Sequence, residues 1–155
     1  MVLFNNGDDD ETTPSLKGIL DNIPTMVIRA KLEEEISQMS LEEASVFLEE
    51  FGISESAMNR ILKAAYQLLG RISFFTVGKD EVRAWSIPTQ MIAVDAAEVI
   101  HSDIKKGFIR VEVLSYADFL EAGSYVNART KGTVRLEGKM YEVQDGNILN
   151  FRFNV

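Results

Sequence analysis

Apolar and polar positions follow two rhythms in this chain, and the change between them divides it. Met1-Val-Leu-Phe4, closed by Asn5, is a short apolar run that predicts a buried strand. Asn6-Gly-Asp-Asp-Asp-Glu-Thr-Thr-Pro14 breaks it, and its Asn-Gly pair predicts a turn within a loop. Ser15 to Asn22 fits one short helix or turn, and Pro24 stops it. Thr25-Met-Val-Ile28, rich in β-branched residues, predicts a second buried strand. From Lys31 the period becomes helical, with Leu32, Ile36 and Met39 on one face. Ser40 and Glu43 form a capping box for a second helix, lined by Leu41, Ala44, Phe47, Leu48 and Phe51 and closed by Gly52. Ser54 is the expected cap of a third helix, with Ala57, Met58, Ile61, Leu62, Ala65, Leu68 and Leu69 on one side. Gly70 ends it.

Beyond Arg71 the period approaches two. Ile72 to Val77 and Glu81 to Ile87 read as a hairpin turned at Gly78-Lys-Asp80. Val94 to Ile104 is amphipathic and predicts one helix, ended by Gly107. Phe108 to Leu114 alternates as a strand, and Ala117 to Glu121 is a short helix ended by Gly123. Tyr125 to Val134 reads as a loop or irregular strand. Leu136 to Tyr141 and Ile148 to Phe153 are the expected closing strands, turned at Asp145-Gly-Asn147. A hairpin, a helix and further strands with a short second helix match an α+β fold: a β-grasp (ubiquitin-like) sheet with one helix on one face.

Composition narrows the chemistry. The 155 residues include no cysteine, which removes thiol catalysis and disulfides and favours a reducing cytoplasm. No apolar run reaches the roughly 20 residues that span a bilayer. The N-terminus has neither the basic start nor the apolar stretch of a signal peptide. The net charge of −8 lies wholly in residues 1–70, with 5 basic and 13 acidic side chains, while residues 71–155 carry 11 of each. The first part repels nucleic acid; the second would need a local basic patch to bind it. No membrane or DNA partner is expected.

Few residues invite catalysis. A P-loop requires Gly-x-x-x-x-Gly-Lys-Ser/Thr, so that backbone N–H groups and one lysine surround the phosphates. Gly78-Lys79 is followed by Asp80 and preceded at the required spacing by Ser73. Gly138-Lys139 is followed by Met140, with Gly132 one residue out of register. Both read as turns. The three-aspartate run lacks the alternation of a calcium loop, and Glu33-Glu-Glu35 and Glu49-Glu50 read as solvated faces. His101, the single histidine, lies beside Ser102 and Asp103, but helical neighbours point in different directions, so it is expected to cap or pack a helix end. No catalytic residue and no metal ligand is expected. Arg83 and Trp85 share one strand face, a pairing that suits either RNA stacking or packing under the helix. Lys105, Lys106 and Arg110, joined by Arg129 and Lys131, form the best basic patch in the sequence.

Three blocks together resemble one family. Ser73-Phe-Phe-Thr-Val-Gly-Lys-Asp-Glu-Val-Arg-Ala-Trp-Ser-Ile87, Ala96 through Val113, and Arg135-Leu-Glu-Gly-Lys-Met-Tyr141 through Val155 are similar to the C-terminal TGS-type domain of the YchF/Obg-like ATPases. The stretch from Lys31 to Leu69 resembles what leads into that domain. The resemblance implies P-loop nucleotidases of the translation-factor class, associated with ribosomes and using ATP or GTP with magnesium. It divides the chain into a G-domain remnant at 1–31, a helical segment at 32–70 and a TGS-type β-grasp domain at 71–155. It also implies nucleobase contacts from an Asn-x-x-Glu-like motif, matched by Asn5 with Asp8 or by Asn6 with Asp9. A Ser-Ala-Lys-like loop is matched by Ala30 and Lys31, with Arg29 where a small residue is usual.

Three functions follow from that resemblance. The first is a non-catalytic module that binds the ribosome, RNA or a translation-associated protein, with no cofactor for this chain alone. The second is the regulatory and base-binding part of an ATP/GTP hydrolase whose P-loop lies outside this chain. The third is a protein–protein adaptor, whose acidic helical part suits a basic partner.

Overall fold

In a computed structural model, residues 1–155 are described except 9, 11, 15–17, 19–22, 51, 54, 79 and 155. Two compact units form, Met1–Leu69 and Gly70–Val155.

In the first unit, β1 (Val2–Asn5) and β2 (Thr25–Ile28) pair in parallel, from Val2 opposite Thr25 to Asn5 opposite Ile28. The ladder runs on at both ends, where Val2 N–H donates to Pro24 and Asn6 N–H to Ile28, each at 2.9 Å. The helix or turn expected over 15–22 lies outside the described residues except at Gly18. Next come α1 (Ala30–Ser37), α2 (Leu41–Glu50) and α3 (Ala57–Leu68). The capping box forms as the spacing requires: Glu43 N–H donates to Ser40 Oγ at 3.3 Å, and Ser40 N–H donates to Glu43 Oε2 at 3.0 Å.

Two expectations change here. Ser56 caps α3, accepting the Asn59 N–H at 3.4 Å, because it stands three residues before that orphan donor; Ser54 lies outside the described residues. Glu33, expected on a solvated face, is half-buried, and its Oε1 accepts the Ala57 N–H at 2.7 Å. It thus satisfies a second orphan donor of α3 from another helix. The buried apolar residues of this unit are Leu32, Ile36 and Ala57, among the described residues. The apolar stripes of α2 and α3 exist, but Leu41, Met58, Leu62, Leu68 and Leu69 remain exposed. Two short strands and three helices offer too little surface to cover them.

The second unit contains, in chain order, β3 (Arg71–Val77), β4 (Val82–Pro88), α4 (Ala93–Ile100), α5 (Ser102–Lys106), β5 (Phe108–Ser115), α6 (Tyr116–Ala122), α7 (Tyr125–Thr130), β6 (Arg135–Glu137) and β7 (Asn147–Phe153). The five strands form one mixed sheet in the order β4-β3-β7-β5-β6. β3 and β7 run parallel, and the other neighbours are antiparallel.

The sheet buries both faces. Phe74, Ile87, Val111, Val113 and Leu149 pack with Ala93, Ala96 and Ala97 of α4, whose short side chains let the helix approach closely. On the opposite face Leu114 and Ile148 pack with Ala122 and Ala128. This double covering breaks the expected alternation of β5, in which Val111, Glu112, Val113 and Leu114 are all buried. A second layer, α6 and α7, therefore joins the single helix expected.

Other sequence expectations are corrected. The helix expected over 94–104 divides at His101, whose φ of −163° and ψ of 140° are extended. The segment 125–134 holds a helix, α7, because Ser124 accepts the Asn127 N–H at 3.1 Å and starts it. The strand expected from 136 to 141 stops at Glu137, where Gly138 begins a turn closed by Tyr141 N–H at 3.2 Å. Nor do the two closing strands pair with each other, since β5 lies between them. Gly123 ends α6 as expected, in the left-handed conformation at φ 73°. Among the described residues, no helix is long and apolar enough to cross a membrane.

Candidate functional site

At the end of β1 the chain brings together four of the five residues implicated in base contact. Asn5 Oδ1 accepts the Ala30 N–H at 3.0 Å. Arg29, the residue before α1, supplies no side-chain cap of its own, so Asn5 replaces it. Lys31 Nζ lies 3.3 Å from Asp8 Oδ2, and Arg29 Nη1 donates to the Asp8 carbonyl at 3.2 Å. Asn6 turns away, its Nδ2 donating to the Thr12 carbonyl at 2.8 Å. Its alternative partner Asp9 lies outside the described residues. The result is an amide, a carboxylate and an ammonium gathered where one strand ends and one helix begins. The Ala30 amide is already occupied by Asn5.

In the second unit the expected surface residues fall on different features. The Arg83 guanidinium lies over the Trp85 ring, 4.2 Å from its centroid. Such contacts contribute about 0.5–1 kcal/mol at exposed sites. Trp85 is half-buried: Nε1 donates to Thr76 Oγ1 at 2.9 Å, and the ring stacks on Phe74 at 6.5 Å between centroids. One tryptophan therefore joins the core of the sheet while an exposed cation lies over its ring.

Lys105 and Lys106 are paired within the unit. Lys105 Nζ contacts Glu98 Oε2 at 2.5 Å and Asp95 Oδ1 at 3.0 Å, and Lys106 Nζ lies 3.3 Å from Asp103 Oδ1. The hydrogen bonds to Glu98 and Asp95 hold the Lys105 ammonium above its usual pKa. His101 serves the local structure, its Nδ1 accepting the Asp103 N–H at 3.2 Å. Arg110 is exposed, and its side chain has no ion pair or hydrogen bond among the described residues.

Sequence reasoning missed the most connected polar group. Glu112 on β5 is 5% exposed. Its carboxylate accepts from Arg129 Nη2 at 2.7 and 2.8 Å, from Tyr125 Oη at 2.9 Å, from Asn150 Nδ2 at 3.4 Å and from Arg152 Nη2. Burial pushes this carboxyl up, but the hydrogen bonds from Arg152, Tyr125 and Arg129 together outweigh it and hold the pKa below the usual range. Tyr125 moves the other way, to about 12, through burial and then its bond to Glu112. The available signal was a glutamate set between valines in an apolar strand, a carboxylate that burial obliges to find partners.

Residues 71–154 match the family YchF-GTPase_C, described as "Protein of unknown function (DUF933)". The chain is 48% identical over 135 residues to the "Ribosome-binding ATPase YchF" of Bacillus subtilis, covering 87% of this chain and 37% of that protein. It is 43% identical over 154 residues to the protein of the same name from Mycoplasma genitalium, covering 97% and 42%. The YchF GTPase structure from Schizosaccharomyces pombe superposes with a TM-score of 0.69 at 30% identity, covering 83% of this chain and 34% of that one. The chain thus spans well under half the length of the curated relatives it matches.

Proposed function

The chain belongs to the YchF family, and on that premise we propose that it is a non-catalytic ribosome-binding module of the cytoplasm. The observation that carries this reading is the kinship to proteins named as ribosome-binding ATPases, which extends over 97% of the chain in the Mycoplasma genitalium relative. In this reading, residues 1–31 are a G-domain remnant, 32–70 a helical segment and 71–155 a TGS-type β-grasp domain that docks on ribosomal RNA. A mixed sheet built of two antiparallel pairs, β3/β4 and β5/β6, with β7 between them and α4 across one face, supports the β-grasp assignment. Arg83 over Trp85 and the unpaired Arg110 are its solvent-facing cations; Lys105 and Lys106 contribute less because acidic neighbours already hold them.

The sequence holds no phosphate-cradling loop, and phosphoryl transfer depends on such positioning. This chain alone is therefore expected to hydrolyse neither ATP nor GTP; phosphate release by the purified chain would contradict that. Cosedimentation with ribosomes over a salt series tests the binding role. Binding is expected to weaken with salt and to be lost on combined reversal of Arg83, Arg110, Lys105 and Lys106 to Glu. Binding indifferent to these changes would sink the reading.

One arrangement favours a second role in the longer proteins of this family, as the base-binding part of an ATP/GTP hydrolase. Asn5, Asp8, Ala30 and Lys31 converge, and an amide beside a carboxylate suits the edge of a purine. These residues fit the base end of a nucleotide alone. Backbone NMR shifts on adding ATP or GTP should centre on them; shifts elsewhere would remove this role.

A further inference from the structure

We infer that Arg110, Arg129 and Arg152, organised around the buried Glu112, form one face that binds the phosphodiester backbone of RNA. The inference rests on the ribosome-binding reading and names the groups that would make the contact.

Three elements deliver the arginines: β5, α7 and β7. Arg110 stands directly opposite Arg152 in the β5–β7 ladder, and Glu112 stands opposite Asn150 one step on. Directly opposed residues of an antiparallel pair project from the same side, about 5 Å apart at Cβ. Like charges so placed repel each other, and nothing within the described residues neutralises Arg110. Arg129 and Arg152 share the single Glu112 carboxylate and Arg110 has no partner, so three guanidiniums stand with one carboxylate and two positive charges are in excess. A bound anion would relieve both.

The donors that would meet this anion are already oriented. Arg129 and Arg152 reach Glu112 through Nη2 alone, so Nε and Nη1 of each remain available. A guanidinium has five N–H donors in a rigid fork, suited to paired contacts with phosphate oxygens. Both side chains are more than half exposed, at 57% and 55%, although their anchor is buried at 7%. A buried carboxylate that pins two exposed guanidiniums lowers the entropy of ordering them on a ligand. Repeated phosphates match a row of cations better than one small anion does. Leu136, opposite Glu112 on β6 and 60% exposed, adds apolar surface beside that row for a ribose or base.

The test is fluorescence anisotropy of the whole chain with a labelled single-stranded RNA over a salt series, alongside ribosome cosedimentation and an NMR titration with sodium phosphate. The Arg110 guanidinium lies against Gly138 but makes no ion pair or hydrogen bond among the described residues, so R110Q tests its charge, and its folding too is checked by thermal melting. R152Q leaves Arg129 on Glu112, and its folding is checked by thermal melting. Each substitution is expected to weaken RNA binding at least threefold and to reduce the salt slope by about 0.7, the value for one lost phosphate contact on a single strand. K63Q, whose lysine pairs with Glu55 in the first unit, should leave both unchanged. If ribosomes bind but neither arginine variant matters, this inference is overturned and the ribosome-binding reading stands. If RNA binds through these arginines while ribosomes do not bind, the inference stands and that reading falls. Binding of inorganic phosphate with no RNA binding would overturn the inference.

Discussion

Asn5 Oδ1 accepts the backbone N–H of Ala30 at 3.0 Å, so the last residue of one strand caps a helix 25 positions away. The first N–H groups of a helix have no partner within it, and the local cap residue, Arg29, gives Ala30 none. Asn5→Ala should cost the first unit about 1 kcal/mol, while Asn5→Asp keeps an acceptor. Hydrogen exchange at the Ala30 amide is the measurement. It should quicken in the alanine variant and stay slow in the aspartate variant; unchanged protection in both would show that this bond contributes nothing.

Glu112 makes the second unit sensitive to acid. Its folded-state pKa is depressed, so the unfolded chain binds the proton first as pH falls. The stabilisation is complete above the ordinary glutamate value of about 4.3 and disappears as pH falls through the folded value. Glu112→Gln should lower the melting temperature at neutral pH and flatten its dependence on pH below that value. Glu112→Ala should cost about 1–3 kcal/mol, less than for a fully buried pair, because Arg129 and Arg152 are exposed enough to be rehydrated. Equal acid sensitivity in the wild type and the glutamine variant would refute this role.

Tyr125 reports on the same site from the alkaline side. Its pKa, raised to about 12, means that the folded state retains the phenolic proton after the unfolded state has released it. This contribution to stability is present below the ordinary tyrosine value of about 10 and is lost as pH rises toward 12. The difference in ultraviolet absorbance between the wild type and Tyr125→Phe should show the tyrosinate appearing near that upper limit. In Glu112→Gln the transition should move down without returning to the ordinary value, because burial, the larger cause, persists.

Local signals explain which features were legible in the sequence. Ser40 and Glu43 stand three residues apart and define a helix start by themselves; Gly123 ends α6 because a left-handed residue favours glycine. The break at His101 was hidden because Val94, Ala97, Ile100 and Ile104 continue a helical period across it. In α7 the polar and β-branched run Tyr-Val-Asn-Ala-Arg-Thr disguised a helix that Ser124 starts. The convergence of Asn5, Asp8, Ala30 and Lys31 was accessible only through the resemblance to a family. The Glu112 site was least accessible, since Arg152 lies 40 positions away and only the β5–β7 register brings it near.

The His101 break gives its own test. The side chain accepts the Asp103 N–H at 3.2 Å, while its backbone N–H closes α4 on Ala97 at 3.1 Å. Loss of an N-cap acceptor costs about 0.5–2 kcal/mol. His101→Ala should be destabilising by an amount in that range, and His101→Asn or His101→Ser should recover most of it in urea unfolding. If the polar variants are no better than alanine, the ring's contribution is packing instead of capping.

Gly107 is held by contact with a distant backbone. Its φ of −87° is open to any residue, so conformational freedom does not explain the glycine. A Cβ placed there would lie 2.1 Å from the Asn154 carbonyl oxygen and 2.8 Å from its carbon. These atoms belong to a backbone segment that cannot swing aside as a side chain can, and Asn154 N–H is itself bound to the Gly107 carbonyl at 2.9 Å. Gly107→Ala must therefore push the end of β7 away from the turn between α5 and β5. The expected cost is about 1–3 kcal/mol, typical of a forced overpacking, with the greatest loss of amide protection at Asn154. Since alanine in an unstrained backbone conformation ordinarily stabilises by about 0.4–1 kcal/mol, the sign decides the matter: a variant as stable as wild type would show that this approach of the two backbones is looser than 2.1 Å implies.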